Sequence, residues 1–202
     1  MPAFSDTEST PSRIGILGGS FNPVHVGHIM LADYIVRFTP LSQIWLMLSP
    51  LNPLKADSSQ LIDDRDRLEM LRIATENNPR LRPCDIELSM PRPSYSFDSL
   101  SLLSELYPRT RFSLIIGSDN WLIFDRWKHH DKIIRRFDPI IYPRPGYDVD
   151  PESLPPNVTL VNAPTIDISS TFIRDAIATG KRMDAFLPPG VAEYINDNHL
   201  YR

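Results

Sequence analysis

Two histidines, His25 and His28, lie three residues apart in a segment that could bind an anion. The segment, GGSFNPVHVGH over residues 18–28, follows a short apolar run and precedes a stretch with apolar residues at helical spacing. Glycines let a backbone approach an anion closely, a helix N-terminus offers unpaired amides with partial positive charge, and imidazoles add directional donors. Together these features predict a phosphate cradle between a strand and a helix.

Other interpretations of this segment stay open on its own residues. The two histidines could pack or cap near a helix start, or ligate zinc, although no suitably spaced third ligand and no H-E-x-x-H pattern accompany them. We therefore expect no protein-bound metal here. The spacing matches neither the dinucleotide fingerprint G-x-G-x-x-G nor the Walker loop, which weakens oxidoreductase and kinase interpretations.

A second segment with chemical potential is ISSTFIR, residues 168–174, near the end of the chain. Hydroxyl groups at a helix start can cap the helix or bind phosphate. Arg174 follows Ser170 and Thr171 by about one turn, so its guanidinium could reach the same anion. Taken alone, this pattern is more typical of a capped helix with a surface arginine.

Strands alternating with helices must position both segments. This alternation implies parallel pairing through right-handed crossovers, and such open sheets bind ligands beyond the carboxyl ends of their strands. We expect a flexible leader over residues 1–12 and one α/β domain over residues 13–202, with a doubly wound parallel sheet and helices on both faces. The predicted strands are 14–17, 44–48, 81–88, 112–116, 139–142 and 158–161. The predicted helices are 28–38, 63–77, 96–106 with Ser96 as the cap, and two that begin at Ser170 and Val191.

Composition narrows the classes of function. The chain has 202 residues with a formal net charge of −4, which argues against a large surface for nucleic acid. Cys84 is the single cysteine, so no internal disulfide and no cysteine-based zinc site can form. Because no apolar stretch approaches the ~20 residues that span a bilayer, we expect no membrane partner and a cytoplasmic location. The sequence carries no signal of oligomeric state.

The H-V-G-H stretch closely resembles the H-x-G-H signature of the nucleotidyltransferase superfamily, and residues 168–174 resemble its I-S-x-T-x-x-R motif. The resemblance implies a Rossmann-like sheet. It also implies that the two histidines contact the ATP phosphates and stabilise the α-phosphoryl transition state, without a covalent intermediate. Ser169, Thr171 and Arg174 would bind the β- and γ-phosphates.

The middle of the chain resembles the nicotinate-nucleotide adenylyltransferases within that superfamily. Residues 93–100, PSYSFDSL, resemble their S-Y-T-x-D-T-L stretch, residues 117–119 with Trp127 resemble their G-x-D and tryptophan elements, and residues 144–146 match their R-P-G loop. A flat pyridine ring stacks well on tryptophan, and its carboxylate needs donors such as Tyr95 and Ser96 could supply. Alone, Trp127 could equally be core packing and Asp119 a helix cap.

Two positions depart from the family patterns. Leu54 stands where the N-x-P-H-K loop commonly has histidine, so only Lys55 remains there as a candidate phosphate contact. Ser96 replaces a threonine and keeps the hydroxyl. Residues 129–131, HHD, suggest a metal site, but we interpret them as a polar helix face.

The resemblance, which covers residues 13–202, implies transfer of AMP from ATP to nicotinate mononucleotide, giving deamido-NAD and pyrophosphate, with Mg²⁺ bound through the ATP phosphates. The alternatives are an adenylyltransferase for another phosphorylated acceptor, such as phosphopantetheine, and a nucleotide-binding module without activity. The implied catalytic residues are His25, His28 and Arg174. The implied ATP-binding residues are Gly18, Gly19, Ser20, Phe21, Lys55, Gly117, Asp119, Ile168, Ser169 and Thr171. The implied acceptor-binding residues are Tyr95, Ser96, Trp127 and Arg144.

Overall fold

The computed structural model describes residues 12–50 and 61–202, and within these ranges strands and helices alternate along the chain. Of the predicted leader, only Ser12 is described, and it begins the first strand. The strands are β1 Ser12–Gly19, β2 Gln43–Leu48, β3 Leu81–Cys84, β4 Thr110–Gly117, β5 Ile140–Tyr142 and β6 Thr159–Leu160. The helices are α1 Val26–Phe38, α2 Asp64–Thr75, α3 Ser96–Leu106, α4 Ser118–Trp121, α5 His130–Phe137, α6 Ser170–Ala178 and α7 Val191–Asp197.

All six strands form one parallel sheet in the order β3-β2-β1-β4-β5-β6. The chain runs outward from β1 to β3 on one side, then returns to place β4 against β1 and continues to the other edge. The gap beyond the carboxyl ends of β1 and β4 is therefore the topological switch point, where open α/β sheets bind their ligands. The predicted doubly wound parallel sheet is confirmed.

The strands read as nearly continuous apolar runs because both faces of the sheet are covered. Ile44, Leu46 and Leu48 of β2 pack in one core with α1, α2, α6 and α7. Trp45 and Met47 of the same strand pack in a second core with α3 and α5. Alternate residues of one strand thus enter opposite cores, as the period of two requires. This architecture leaves the strand ends as the open edge of the molecule.

Two local predictions differ from the structure. The strand predicted over residues 81–88 ends at Cys84, and a short 3₁₀ helix, Ile86–Ser89, follows. The backbone turns there because Glu87 points inward, where its carboxylate accepts hydrogen bonds from two serine hydroxyls. The predicted cap of α3 is also wrong, since Tyr95, with extended backbone, is the N-cap and Ser96 is the first helical residue.

The histidine pair at residues 129–130 lies at the start of α5, with His129 as the N-cap. The rings face aromatic side chains, His129 against Phe97 and His130 against Phe124. Within residues 12–50 and 61–202, no cluster of three or more histidine, cysteine or acidic side chains could hold a metal ion. No helix in these ranges is long and apolar enough to cross a membrane.

Candidate active site

Two adjoining cavities open at the carboxyl ends of the central strands. The larger has a volume of about 730 Å³ and the smaller about 190 Å³. Gly18, at the end of β1, and Tyr142, at the end of β5, line both cavities. The larger cavity has the size of a typical ligand pocket, and a ligand that filled both would pass over these two residues.

The larger cavity brings the two distant sequence segments together. His25 and His28 line it beside Arg174. Arg174 donates from Nη1 to the main-chain oxygen of Asn22 at 2.9 Å, and Ser170 donates from Oγ to that of Pro23 at 2.9 Å. The start of α6 is therefore hydrogen-bonded to the loop between β1 and α1. Positively charged and hydroxyl groups consequently face the two imidazoles across a single space.

The two imidazole rings lie against each other at a tilt, with their centroids 3.7 Å apart and an interplanar angle of 30°. The amide of His25 donates to Nδ1 of His28 at 3.2 Å, so Nδ1 is an acceptor and a neutral His28 carries its proton on Nε2. Nδ1 of His25 is buried and has no hydrogen-bond partner among the described residues. Burial and the positive charge of Arg144 lower the pKa of His25 from 6.5 to about 4. His25 is therefore neutral at physiological pH.

Two glycines, Gly19 at the end of β1 and Gly27 at the start of α1, allow close packing on either side of this loop. A Cβ atom on Gly27 would lie 3.0 Å from Nδ1 and 3.1 Å from Cε1 of His25. A Cβ atom on Gly19 would lie 2.9 Å from the ring of Phe21. Phe21 itself is buried in a left-handed conformation with φ of 43°, and its ring meets the edge of His28. The glycines thus let the rings of His25 and Phe21 approach the backbone at the two ends of the loop.

The start of α6 presents its hydroxyls to the same cavity. Ser169 is the N-cap, and its Oγ accepts a hydrogen bond from the amide of Phe172 at 3.1 Å. Arg174 donates from Nη2 to Oγ1 of Thr171 at 3.3 Å, which holds the guanidinium on the face that carries these hydroxyls. Ile168 lines the cavity just before the cap. A helix start with this arrangement suits an anion.

The smaller cavity is lined by residues after β4 and before α3. Tyr95, Ser96 and Trp127 all contribute to its wall. The indole Nε1 of Trp127 is buried and has no hydrogen-bond partner among the described residues. Lys128 places its ammonium 4.4 Å from the centroid of the Tyr95 ring. Aromatic faces and polar donors thus surround a space of a size that suits a single ring.

Most of the predicted site residues divide between the two cavities. Arg144, predicted for the acceptor, lines the larger cavity, where it donates from Nη2 to the hydroxyl of Tyr142 at 3.2 Å. Gly19 and Gly117, predicted for ATP, line the smaller cavity. Asp119 lines neither of the two and faces Arg144, with 3.9 Å between Oδ1 and Nε. Lys55 and Leu54 lie outside the described residues. The remaining predicted ATP-binding residues, Gly18, Ser20, Phe21, Ile168, Ser169 and Thr171, line the larger cavity.

Three buried polar residues near the cavities were not predicted as site residues, although Asn22 lies within the segment of residues 18–28. Glu87 lines the smaller cavity and accepts hydrogen bonds from Ser94 at 2.9 Å and Ser99 at 2.7 Å. Asn22 lines the larger cavity, and its Oδ1 accepts from the hydroxyl of Tyr201 at 3.0 Å. Arg67 is fully buried beneath the loops that form both walls. A single charged residue in a helix or strand reads as a surface residue until its neighbours in space are known.

Comparison with known proteins identifies the relatives of this chain. Residues 16–176 match the model of the cytidylyltransferase-like family. A protein of Bacteroides thetaiotaomicron named "probable nicotinate-nucleotide adenylyltransferase" is 50% identical over 190 residues, covering 94% of each chain. One of the same name from Bacteroides fragilis is 46% identical over 184 residues, covering 91% of each. The solved structure of Plasmodium falciparum nicotinic acid mononucleotide adenylyltransferase complexed with NaAD has a TM-score of 0.77 at 24% identity, over 94% of this chain and 97% of that one.

Proposed function

This chain belongs to the nicotinate-nucleotide adenylyltransferase family, and from that premise we propose that it transfers the adenylyl group of ATP to nicotinate mononucleotide. The products are deamido-NAD and pyrophosphate, which makes the chain an enzyme of NAD biosynthesis. The observation that carries the proposal is the pair of adjoining cavities, since the larger is rich in groups for phosphate and the smaller is walled by aromatic rings. Two substrates could meet where the cavities share Gly18 and Tyr142.

The reaction joins two anions. A 5′-phosphate oxygen of nicotinate mononucleotide forms a bond to the α-phosphorus of ATP, while the bond from that phosphorus to the bridging oxygen of pyrophosphate breaks. No strong general base is needed, because the second pKa of a phosphate monoester is about 6 and the attacking oxygen is already ionised. The contribution of the protein is therefore positioning and electrostatic stabilisation.

We assign the larger cavity to the triphosphate. Because Nδ1 of His28 accepts a hydrogen bond, its Nε2 is the nitrogen that can donate to a phosphoryl oxygen, and the ring of His25 lies against it. Arg174 and the hydroxyls at the start of α6 suit the β- and γ-phosphates, because a guanidinium forms paired hydrogen bonds with phosphate oxygens. Arg144 adds a second cation in this cavity, beside the histidines. Such preorganised donors stabilise charge that develops on the phosphoryl group as pyrophosphate leaves.

We assign the smaller cavity to the nicotinate ring. Trp127 offers a flat electron-rich face, and the pyridine ring of a nicotinate nucleotide is electron-poor, so stacking is favourable. Its carboxylate would accept hydrogen bonds from backbone amides or the hydroxyl at the start of α3, near Tyr95 and Ser96. The unpartnered Nε1 of Trp127 supports a ligand here, because a buried donor is normally satisfied.

Mg²⁺ fits this site as an ion carried by ATP rather than by a protein cage. The larger cavity is lined mainly by imidazole, hydroxyl and guanidinium groups, and its one carboxylate, Asp167, is exposed. Mg²⁺ commonly keeps several waters and binds through substrate phosphates with only one or two carboxylates. When bound, the ion would neutralise charge on the phosphate oxygens. We expect chelation of Mg²⁺ by EDTA to abolish turnover and added Mg²⁺ to restore it.

The decisive experiment measures pyrophosphate release from ATP with each candidate acceptor in turn. We expect release with nicotinate mononucleotide, together with deamido-NAD detected by chromatography, and much less release with phosphopantetheine. Release with phosphopantetheine alone would replace the assignment with another adenylyltransferase. Binding of ATP without release with any acceptor would replace it with a nucleotide-binding module.

We propose that the partners are these small molecules and that the enzyme works in the cytoplasm. The net charge of −4 supports the absence of a nucleic-acid partner. The single cysteine, buried in the second core, is compatible with a reducing compartment. Fractionation of cells that express the chain would test the location.

A further inference from the structure

Arg67 carries a guanidinium with no exposed surface, buried where the loops after two strands meet. Nη1 donates to the main-chain oxygens of Ser20 at 2.7 Å and Ser49 at 3.0 Å. Nε donates to the main-chain oxygen of Ile62 at 3.2 Å, and Nη2 donates to Asp64. All three nitrogens of the planar group are thus used, which a flexible ammonium could not reproduce.

Nη1 of Arg67 donates to two carbonyl groups whose residues line different cavities. Ser20 directly follows β1 and lines the larger cavity, whereas Ser49 directly follows β2 and lines the smaller one. Among the described residues, the main-chain hydrogen bond at the carboxyl end of this strand pair is the amide of Ser49 donating to Gly19 at 2.9 Å. Arg67 adds a side-chain link between Ser20 and Ser49, the residues that directly follow the two strands.

The same arginine is connected to the other wall of the smaller cavity. Asp64 accepts from Arg67 with one oxygen and from Nη2 of Arg92 at 2.6 Å with the other. Arg92 stands two residues before Ser94, which lines the smaller cavity. The start of α2 is therefore bound by polar contacts to three loops that shape the two cavities.

From these contacts we infer that Arg67 is a positioning residue that sets the spacing between the two substrates of the proposed reaction. The inference rests on the proposed function, in which the triphosphate and the acceptor occupy different cavities. In-line attack needs reacting atoms about 3–3.5 Å apart, and a misplacement of about 1 Å can cost about 100-fold in rate. A change at Arg67 should therefore reduce the rate of reaction while each substrate still binds its own cavity.

The test compares Arg67→Lys and Arg67→Ala with Arg72→Lys and Arg72→Ala. Arg72 is the matched control, because it lies on the same helix, is exposed and pairs with Glu69 at 3.1 Å. For each variant we would measure kcat and, separately, the Kd of a non-hydrolysable ATP analogue and of nicotinate mononucleotide. We expect kcat of Arg67→Lys to fall by about 100-fold with both Kd values changed by less than about threefold. The Arg72 variants should retain wild-type values.

Chemical rescue separates positioning from general loss of structure. Millimolar methylguanidinium should restore part of the kcat of Arg67→Ala and leave Arg72→Ala unchanged, because only the first has a vacated guanidinium site. If Arg67→Ala does not fold, Arg67→Lys alone decides. Wild-type kcat in Arg67→Lys, or a loss of kcat matched by equal weakening of both substrates, would overturn the inference. Absence of deamido-NAD from the wild-type protein would instead overturn the proposed function.

Discussion

Acidification should destabilise the protein through His25, and the structure sets the size of the effect. The imidazole is 5% exposed, and burial together with the charge of Arg144 lowers its pKa from 6.5 to about 4. In the unfolded chain the ring titrates near its ordinary value. Between pH 6.5 and about 4 the unfolded state therefore binds a proton that the folded state does not, so stability falls as the pH falls through this window.

The magnitude follows from the difference between the two pKa values. Each pH unit of difference corresponds to about 1.4 kcal/mol, so the shift of His25 corresponds to about 3 kcal/mol of lost stability. The loss should be absent above pH 7 and complete near pH 4. It is a large part of the ~5–15 kcal/mol that stabilises an ordinary domain.

The assay is urea unfolding of the wild type and His25→Gln at a series of pH values from 4 to 7.5. The difference in free energy of unfolding between the two proteins removes the contribution of most other titrating groups. As the pH falls, the free energy of unfolding of His25→Gln should rise by about 3 kcal/mol relative to that of the wild type. His199→Gln, which changes an exposed ring, is the control. A difference that stays constant to within about 1 kcal/mol across the series would refute the burial argument.

Three further perturbations have defined outcomes. His25→Ala should raise the barrier by roughly 2–4 kcal/mol and lower kcat more than it raises KM for ATP, and an unchanged kcat would reject its role. Trp127→Ala should weaken the binding of nicotinate mononucleotide by about 1 kcal/mol, seen as a higher KM for this substrate, and leave the KM for ATP unchanged. An equal rise in both KM values would contradict the assignment. Gly190→Ala, with φ of 83° and a Cβ 2.8 Å from Ile73, should lower the free energy of unfolding in a urea titration by more than Gly180→Ala, whose Cβ enters open space at φ of 78°.

The main strands of the sheet were predictable because their burial pattern is local. The run over residues 112–116 is apolar except for Ser113, as expected for a strand of β4's kind that is buried on both faces. Edge elements gave weaker signals. The segment after Cys84 was predicted as strand, but the inward turn of Glu87 depends on hydroxyl groups of Ser94 and Ser99, which come from a later part of the chain. The bounds of helix α5 were not predicted from the sequence. The helix begins at His130 directly after His129, which adopts a left-handed conformation that its residue type does not announce.

The sequence alone determined the fold class and the residue types of the candidate site. Hydrophobic period, glycine loops and helix caps depend on residues within a few positions of one another, so H-V-G-H and the hydroxyl-rich start of α6 could be read directly. Only the tertiary structure decided which of these residues share a space. Strand order brings α6 over the loop before α1, places Arg144 with the histidines, and buries Arg67 between the two cavities. Those relations join residues far apart in the chain, and no local pattern encodes which strands become neighbours.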